Sequence, residues 1–220
     1  GFNWIQLGQN IDGIINYGNS GESIAFNENG NTLVIGANSN DEFGNNSGHV
    51  RVLDWDGQFW TQRGSIINGE SPFDWFGKSV AINNHGNIIA VGSPRHESLL
   101  SHGKVNIYKW TNYNWIQLGS ELEEIINDSE FGYSVSLNGD GFKVASGAYI
   151  HQSWTGKTSI YQLNNPCSDL GCLDPLALNF DPYATVDDSS CVYPIYGCID
   201  SLSSNYNSLA NISDSSCTYC

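Results

Sequence analysis

The sequence contains no methionine, only 8 lysines and arginines against 23 aspartates and glutamates, and no apolar run near the ~18 residues that a membrane-spanning helix needs. Each shortage narrows the function. A formal charge of −15 argues against a nucleic-acid partner, and no membrane insertion or basic patch for an anionic membrane surface is expected; the charge suits solubility or divalent cations instead. The start carries neither a basic n-region nor an apolar h-region, and with methionine missing we expect that these residues lack the original N-terminus, a signal or longer leader having been removed. With 24 glycines and 12% aromatic residues, turn-rich β structure without long helices is expected.

What is present is repetition. The opening "GFNWIQLG" returns as "WTQRG" at Trp60 and "WIQLG" at Trp115, so that Trp4, Trp60 and Trp115 stand 56 and 55 residues apart. Gly21, Gly77 and Gly132 open "GESIAF", "GKSVAI" and "GYSVSL" at the same intervals. Gly30, Gly86 and Gly141 sit in the turns "NENGN", "NNHGN" and "NGDGF"; then come "TLVIGA", "IIAVGSP" and "KVASGA", and after them "GHVRVLDW", "GKVNIYKW" and "GKTSIYQL". Each unit offers four short runs of period-2 alternation, bounded by Gly and Asn turns where φ > 0 is needed. Four strands in about 55 residues is the size of one propeller blade. The expected fold class is therefore all-β. Residues 1–163 are expected to form three propeller-type blades of four antiparallel strands, with repeats near 4–59, 60–114 and 115–163, and residues 164–220 a small disulfide-rich, loop-rich region. "SELEEIIND" at 120–128 has helical propensity, but it takes the place of "SIINGESPF" and "QNIDGIINY" in the other copies, so a loop is expected there.

The second copy resembles FG-GAP-type and related integrin-α-like β-propeller repeats. Their core, GxSVAxxxxGxxxAVGxP, is carried by Gly77, Ser79, Val80, Ala81, Gly86, Ala90, Val91, Gly92 and Pro94, and the resemblance covers roughly residues 4–163. It implies a propeller and, in the family, a Ca²⁺ loop of the form D-x-[DN]-x-D-G between the first two strands. That loop is not reproduced, because "NENGN" and "NNHGN" supply too few carboxylates for a cation that takes six to eight oxygens.

A strand is out of place. The third unit ends at "SIYQL" without its fourth strand, while Trp4, Ile5, Gln6, Leu7 and Gly8 are a fourth strand without a unit. Three blades are too few for an ordinary closed ring, since propellers typically have four to eight. Residues 4–8 are therefore expected to be an assembly strand. They can complete the third blade of their own chain or that of a neighbouring copy, or continue from a longer precursor; the last two are preferred.

Residues 164–220 hold all six cysteines, seven aspartates and no Lys, Arg or His. They repeat with period 26, as "GCLDPLALNFDPYATVDDSSC" at 171–191 and "GCIDSLSSNYNSLANISDSSC" at 197–217. Without histidine these spacings make a poor zinc site, and units so small need staples, so a disulfide framework is expected. Six cysteines allow 15 pairings. The preferred scheme pairs Cys172 with Cys191 and Cys198 with Cys217, each 19 apart, leaving Cys167 and Cys220 to each other or to another chain. These units resemble the GCxDPxAxNYxxxAxxDDGSC repeats of secreted and surface proteins. The first copy matches through Gly171, Cys172, Asp174, Pro175, Ala177, Asn179, Ala184, Asp187, Asp188 and Cys191; in the second, Ser213 replaces the first Asp of the pair. Asp174, Asp187 and Asp188 are a candidate Ca²⁺ cluster gathered by the Cys172–Cys191 bridge; the alternative is that they cap turns and solvate a small module.

Catalytic patterns are missing. "GKT" at Gly156 and "GKS" at Gly77 lack the P-loop glycine five residues earlier, where His151 and Pro72 stand, and neither an HExxH nor a G-x-S-x-G pattern occurs. The histidines, at 49, 85, 96, 102 and 151, are expected at turns and strand ends, and Arg95 with His96 is a thin candidate for anion binding. Trp4, Trp60 and Trp115 recur at one blade position, which suits core or inter-blade packing better than a sugar platform; Trp55, Trp75, Trp110 and Trp154 are less regular. Sequons place candidate glycans on Asn45, Asn127 and Asn211. The expected protein is no enzyme and requires no cofactor beyond an optional Ca²⁺. It is an extracellular or cell-surface structural or adhesive protein, a self-associating subunit of an appendage, filament or matrix. The alternative is a lectin-like module that binds surface glycans through loops on one propeller face, and a secreted enzyme ranks third.

Overall fold

The repeated runs become strands, and their repetition becomes a repeated register. The computed structural model describes residues 2–95, 103–124, 129–163, 170–180, 186–187 and 189–219. The chain divides into two units, Gly1–Leu163 and Asn164–Cys220.

In the first unit, β1 (Ser23–Phe26), β2 (Thr32–Ala37), β3 (His49–Trp55) and β4 (Trp60–Gln62) pair in sequence order as an antiparallel sheet, and β5 (Ile67–Asn68) pairs with the start of β3. The second sheet repeats this with β6 (Ser79–Ile82), β7 (Ile88–Ser93), β8 (Lys104–Trp110) and β9 (Trp115–Gln117), and β10 (Leu122–Glu123) pairs with the start of β8. The third contains β11 (Phe131–Leu137), β12 (Lys143–Ala148) and β13 (Lys157–Gln162) only. A single helical turn, α1 (His151–Trp154), stands between β12 and β13. Equivalent residues pair alike: Ser23 with Gly36 and Ser79 with Gly92, Trp55 with Trp60 and Trp110 with Trp115.

The turns have a common cause. Asn27, Asn83 and Asn138 each accept, on the side-chain oxygen, the backbone N–H five residues on (Thr32, Ile88 and Lys143), which closes the loop across the glycine at φ +69°, +73° or +84°. The continuous apolar runs of β2 and β7 are buried along their whole length, as strands covered on both faces should be. β12 alternates buried residues with exposed or half-buried ones, because only one of its faces is fully covered. One core, with Val34, Val52, Phe76, Ile89 and Val91, lies between the first two sheets; a second, with Val105, Phe131 and Val144, lies between the second and third.

Two expectations need adjustment. Residues 120–128 are not a plain loop: Leu122–Glu123 form β10, opposite Val105 and Lys104, and 125–128 lie outside the described residues. Residues 4–8 form no strand, and among the described residues no strand pairs with the outer edge of β13. Trp60 and Trp115 are buried at 7% and 6% exposure, but Trp4 is 104% and Ile5 88% exposed. The reason is local: Trp60 and Trp115 pack against Trp55 and Trp110 on the adjoining strand, with ring centroids at 5.3 and 5.4 Å, and among the described residues no strand adjoins Trp4.

In the second unit each repeat makes one short parallel pair, β14 (Leu170–Gly171) with β15 (Val186–Asp187) and β16 (Tyr196–Gly197) with β17 (Ile212–Ser213). Cys172 is bonded to Cys191 and Cys198 to Cys217, the within-repeat scheme. Cys167 and Cys220 lie outside the described residues. Disulfides belong to an oxidising compartment. No helix among the described residues is long and apolar enough to cross a membrane.

Candidate assembly interface

The two sheet-to-sheet joints of the first unit are built from the same parts. Ser23 Oγ donates to the carbonyl of Gly77 at 2.8 Å, and Ser79 Oγ donates to that of Gly132 at 2.7 Å. Those carbonyls press on Gly36 and Gly92 so closely that a Cβ on either glycine would lie 2.0 Å from the oxygen. Gly48 and Gly103 likewise abut the backbone of Phe76 and Phe131. At the far turns, Glu28 N–H donates to Asn84 O at 3.3 Å, and Asn84 N–H to Gly139 O at 3.0 Å. Along the outer edge, Trp115 Nε1 donates to Arg63 O at 3.2 Å. At Gly36, Gly48, Gly92 and Gly103 backbone meets backbone, so only glycine fits there.

The outermost faces carry unmatched halves of this joint. On the third sheet, Gly147 and Gly156 occupy the places of Gly36 and Gly48, yet a Cβ on Gly147 would meet only the Ser134 hydroxyl of its own sheet, and one on Gly156 only backbone of the preceding loop at 3.8 Å or more. Tyr133, Ser134, Gly147, Tyr149 and Gly156 line an open cleft of about 440 Å³ there. On the first sheet, Gly21 and Gly30 occupy the places of Gly77 and Gly86, and nothing lies within 4 Å of a Cβ on either. Residues 7–9 are already seated: Trp60 Nε1 donates to Leu7 O at 3.2 Å, as Trp115 does to Arg63, and Trp60 exchanges two bonds with the Gln9 side chain.

One column of the repeat is polar, with His49 and Lys104 buried and Lys157 exposed. Lys104, 1% exposed, meets Glu70 at 2.9 Å and Glu121 at 3.3 Å, and Asn106 also donates to Glu121. Lys157 pairs with Glu124, which also faces His151 Nδ1 at 3.6 Å. His49, the third member, has no partner on either ring nitrogen among the described residues. Burial, and then Arg51, lower its pKa to about 4. Because the folded value lies below the unfolded 6.5, the unfolded chain binds the extra proton. Neutral His49 therefore contributes stability above about pH 6.5 that is lost as pH falls towards 4. Denaturant midpoints should drop across that window, and His49→Leu should flatten the drop; an equal slope in the variant would remove His49 as its source.

The remaining candidate residues are placed as follows. Asp174 accepts from Leu176 N–H at 2.9 Å and from the Tyr193 hydroxyl at 2.8 Å, and these donors, in that order, hold its carboxyl below the usual carboxylate range. Asp187 accepts from Ser189 N–H at 3.0 Å, and Asp188 lies outside the described residues. The second repeat copies the first arrangement, with Asp200 accepting from Leu202 N–H and the Tyr219 hydroxyl. Both described aspartates act as turn caps, and no group of three His, Cys, Asp or Glu fit to hold a metal occurs among the described residues. Arg95 stacks 3.9 Å above the Trp75 ring and meets Glu130 at 3.4 Å, which occupies the proposed anion donor; His96 and His102 lie outside the described residues. Asn45 is exposed, the Asn211 amide bridges Ile195 N–H and Tyr193 O, and Asn127 lies outside the described residues.

No family model matches the chain. It is similar to the chloroplastic ribulose bisphosphate carboxylase/oxygenase activase of Oryza sativa subsp. japonica, 31% identical over 97 residues, which are 44% of this chain and 18% of that protein. Among solved structures it is similar to the tricorn protease, at a TM-score of 0.38 and 14% identity, over 76% of this chain and 16% of that one. Neither similarity assigns the chain to a family.

Proposed function

We propose that this chain is an extracellular structural or adhesive protein whose three sheets are blades of a β-propeller, and that it works as a self-associating subunit of a surface appendage or matrix. One observation carries the reading. Among the described residues no strand pairs with the outer edge of β13, and none pairs with residues 4–8, which match β4 and β9 in sequence. Natural sheets rarely leave such an edge open, and a strand supplied by another chain closes it. The disulfides and the acidic surface support a secreted, soluble particle.

Light scattering on the full chain and on a chain lacking residues 2–6 tests this. The full chain should form particles larger than one subunit, and the shortened chain should not. Particles of unchanged size after the deletion would overturn the role of the strand. Glycan-array binding by a single-chain particle would support the lectin-like reading instead.

A further inference from the structure

We infer that the open face of the third sheet is a docking site for the first sheet of a second copy of this chain. The inference rests on the self-association proposed above and names its joint. The argument is continuity with an interface the chain already makes twice. The third sheet presents the receiving half, Ser134 Oγ with no partner among the described residues, Gly147, Gly156 and the N–H of Gly139. The first sheet presents the inserting half, the Gly21 turn and the carbonyl of Glu28.

The inserting half is preformed. Tyr17 and Asn19 have φ of +63° and +53°, matching Phe73 and Trp75 at +66° and +56° in the first joint. Glu22 N–H closes on Asn19 O as Lys78 N–H closes on Trp75 O, both at 3.0 Å. A segment held in its bound conformation loses little entropy on docking. Ser20 stands where Phe76 and Phe131 stand, so the joint keeps the backbone approach that Gly48 and Gly103 make but lacks the aromatic side chain that fills the core of the other two joints.

The outer edge follows in register. Trp55 pairs with Trp60, and Leu53 with Gln62; by the same count, Trp4 of the second copy falls opposite Leu163, Ile5 opposite Gln162 and Gln6 opposite Tyr161. Ile67 and Asn68 pair with Val50 and His49, which sets Asp12 of the second copy against Lys157, opposite charges on facing strands. Two copies joined at both ends give six blades, inside the range in which propellers close.

Gly147→Ala separates this joint from the fold. In one chain its methyl group meets only a serine hydroxyl that can rotate away, whereas in the docked pair it would meet the Gly21 carbonyl as closely as Gly92 meets Gly132. Sedimentation equilibrium at tens of micromolar should give twice the 24.1 kDa of one chain for the wild type, and a single chain with an unchanged melting curve for Gly147→Ala. Ser134→Ala, which loses one hydrogen bond at each of the pair's two joints, should weaken the pair about 25-fold. Assembly indifferent to Gly147→Ala refutes the joint and leaves self-association standing; a wild type that stays single at every concentration removes both. Open polymers abolished by Gly147→Ala keep the joint and overturn the closed pair.

Discussion

Alanine at Gly92 is expected to destabilise the first unit by about 3 kcal/mol, a large effect for one methyl group. The backbone of Gly92 is not in the left-handed region, so conformational strain contributes nothing and the whole effect is contact. A Cβ there would lie 2.0 Å from the Gly132 carbonyl oxygen, on backbone that cannot rotate aside. Gly132 is itself held, at φ +86° with its N–H on Ser146 Oγ. Relief therefore requires the second and third sheets to part, which loosens the Val105, Phe131 and Val144 core and breaks the Ser79 bond to Gly132. Overpacking of this kind costs 1–3 kcal/mol, and the lost hydrogen bond adds about 1. Gly36→Ala should behave alike, since its Cβ would meet the Gly77 oxygen at the same 2.0 Å. Urea midpoints check this, and a Gly92→Ala chain within about 0.5 kcal/mol of wild type would mean that the sheets are not so closely joined.

That contrast among Gly36, Gly92 and Gly147 shows where sequence reading stops. The three glycines stand in "VIGA", "AVGS" and "ASGA", and the repeat alone marks them as equivalent. Why glycine is needed depends on a carbonyl 40 or 41 residues further along the chain, and among the described residues only two of the three positions meet one. Strand positions were legible because alternation and turn glycines are local properties. β5 and β10 were not, since two residues are too few to show a period, and their pairing depends on β3 and β8. The equivalence of His49, Lys104 and Lys157 could be read from the register, but their carboxylate partners could not, because Glu70, Glu121 and Glu124 sit in connecting segments at different offsets. Asp174 was open to two readings, a cation ligand or a turn cap; its oxygens accept from Leu176 N–H and from the Tyr193 hydroxyl, a partner 19 residues away that local sequence does not announce.

Replacing both Cys172 and Cys191 with serine is expected to open the first repeat of the second unit. Little else holds that repeat: among its described residues only Cys172 and Ala177 are buried apolar side chains, and Leu176 and Leu178 are exposed. A small unit with so little core depends on its staples. In the chain-entropy model, closing a loop with a sequence separation of 19 contributes about 3 kcal/mol. Losing that amount should speed amide exchange in the repeat about a hundredfold, if exchange occurs through opening of the repeat. The N–H groups to follow are those of Leu178, bonded to Val192 O at 2.7 Å, and Val192, bonded to Asn179 Oδ1 at 2.7 Å. The second repeat keeps its own bridge, so Thr218 N–H, on Asn205 Oδ1 at 2.8 Å, should keep its protection. Replacing both cysteines avoids a stray thiol that could pair elsewhere. Protection at Val192 that survives the double substitution would show that the hydrogen bonds around Asn179, and not the disulfide, hold the repeat closed.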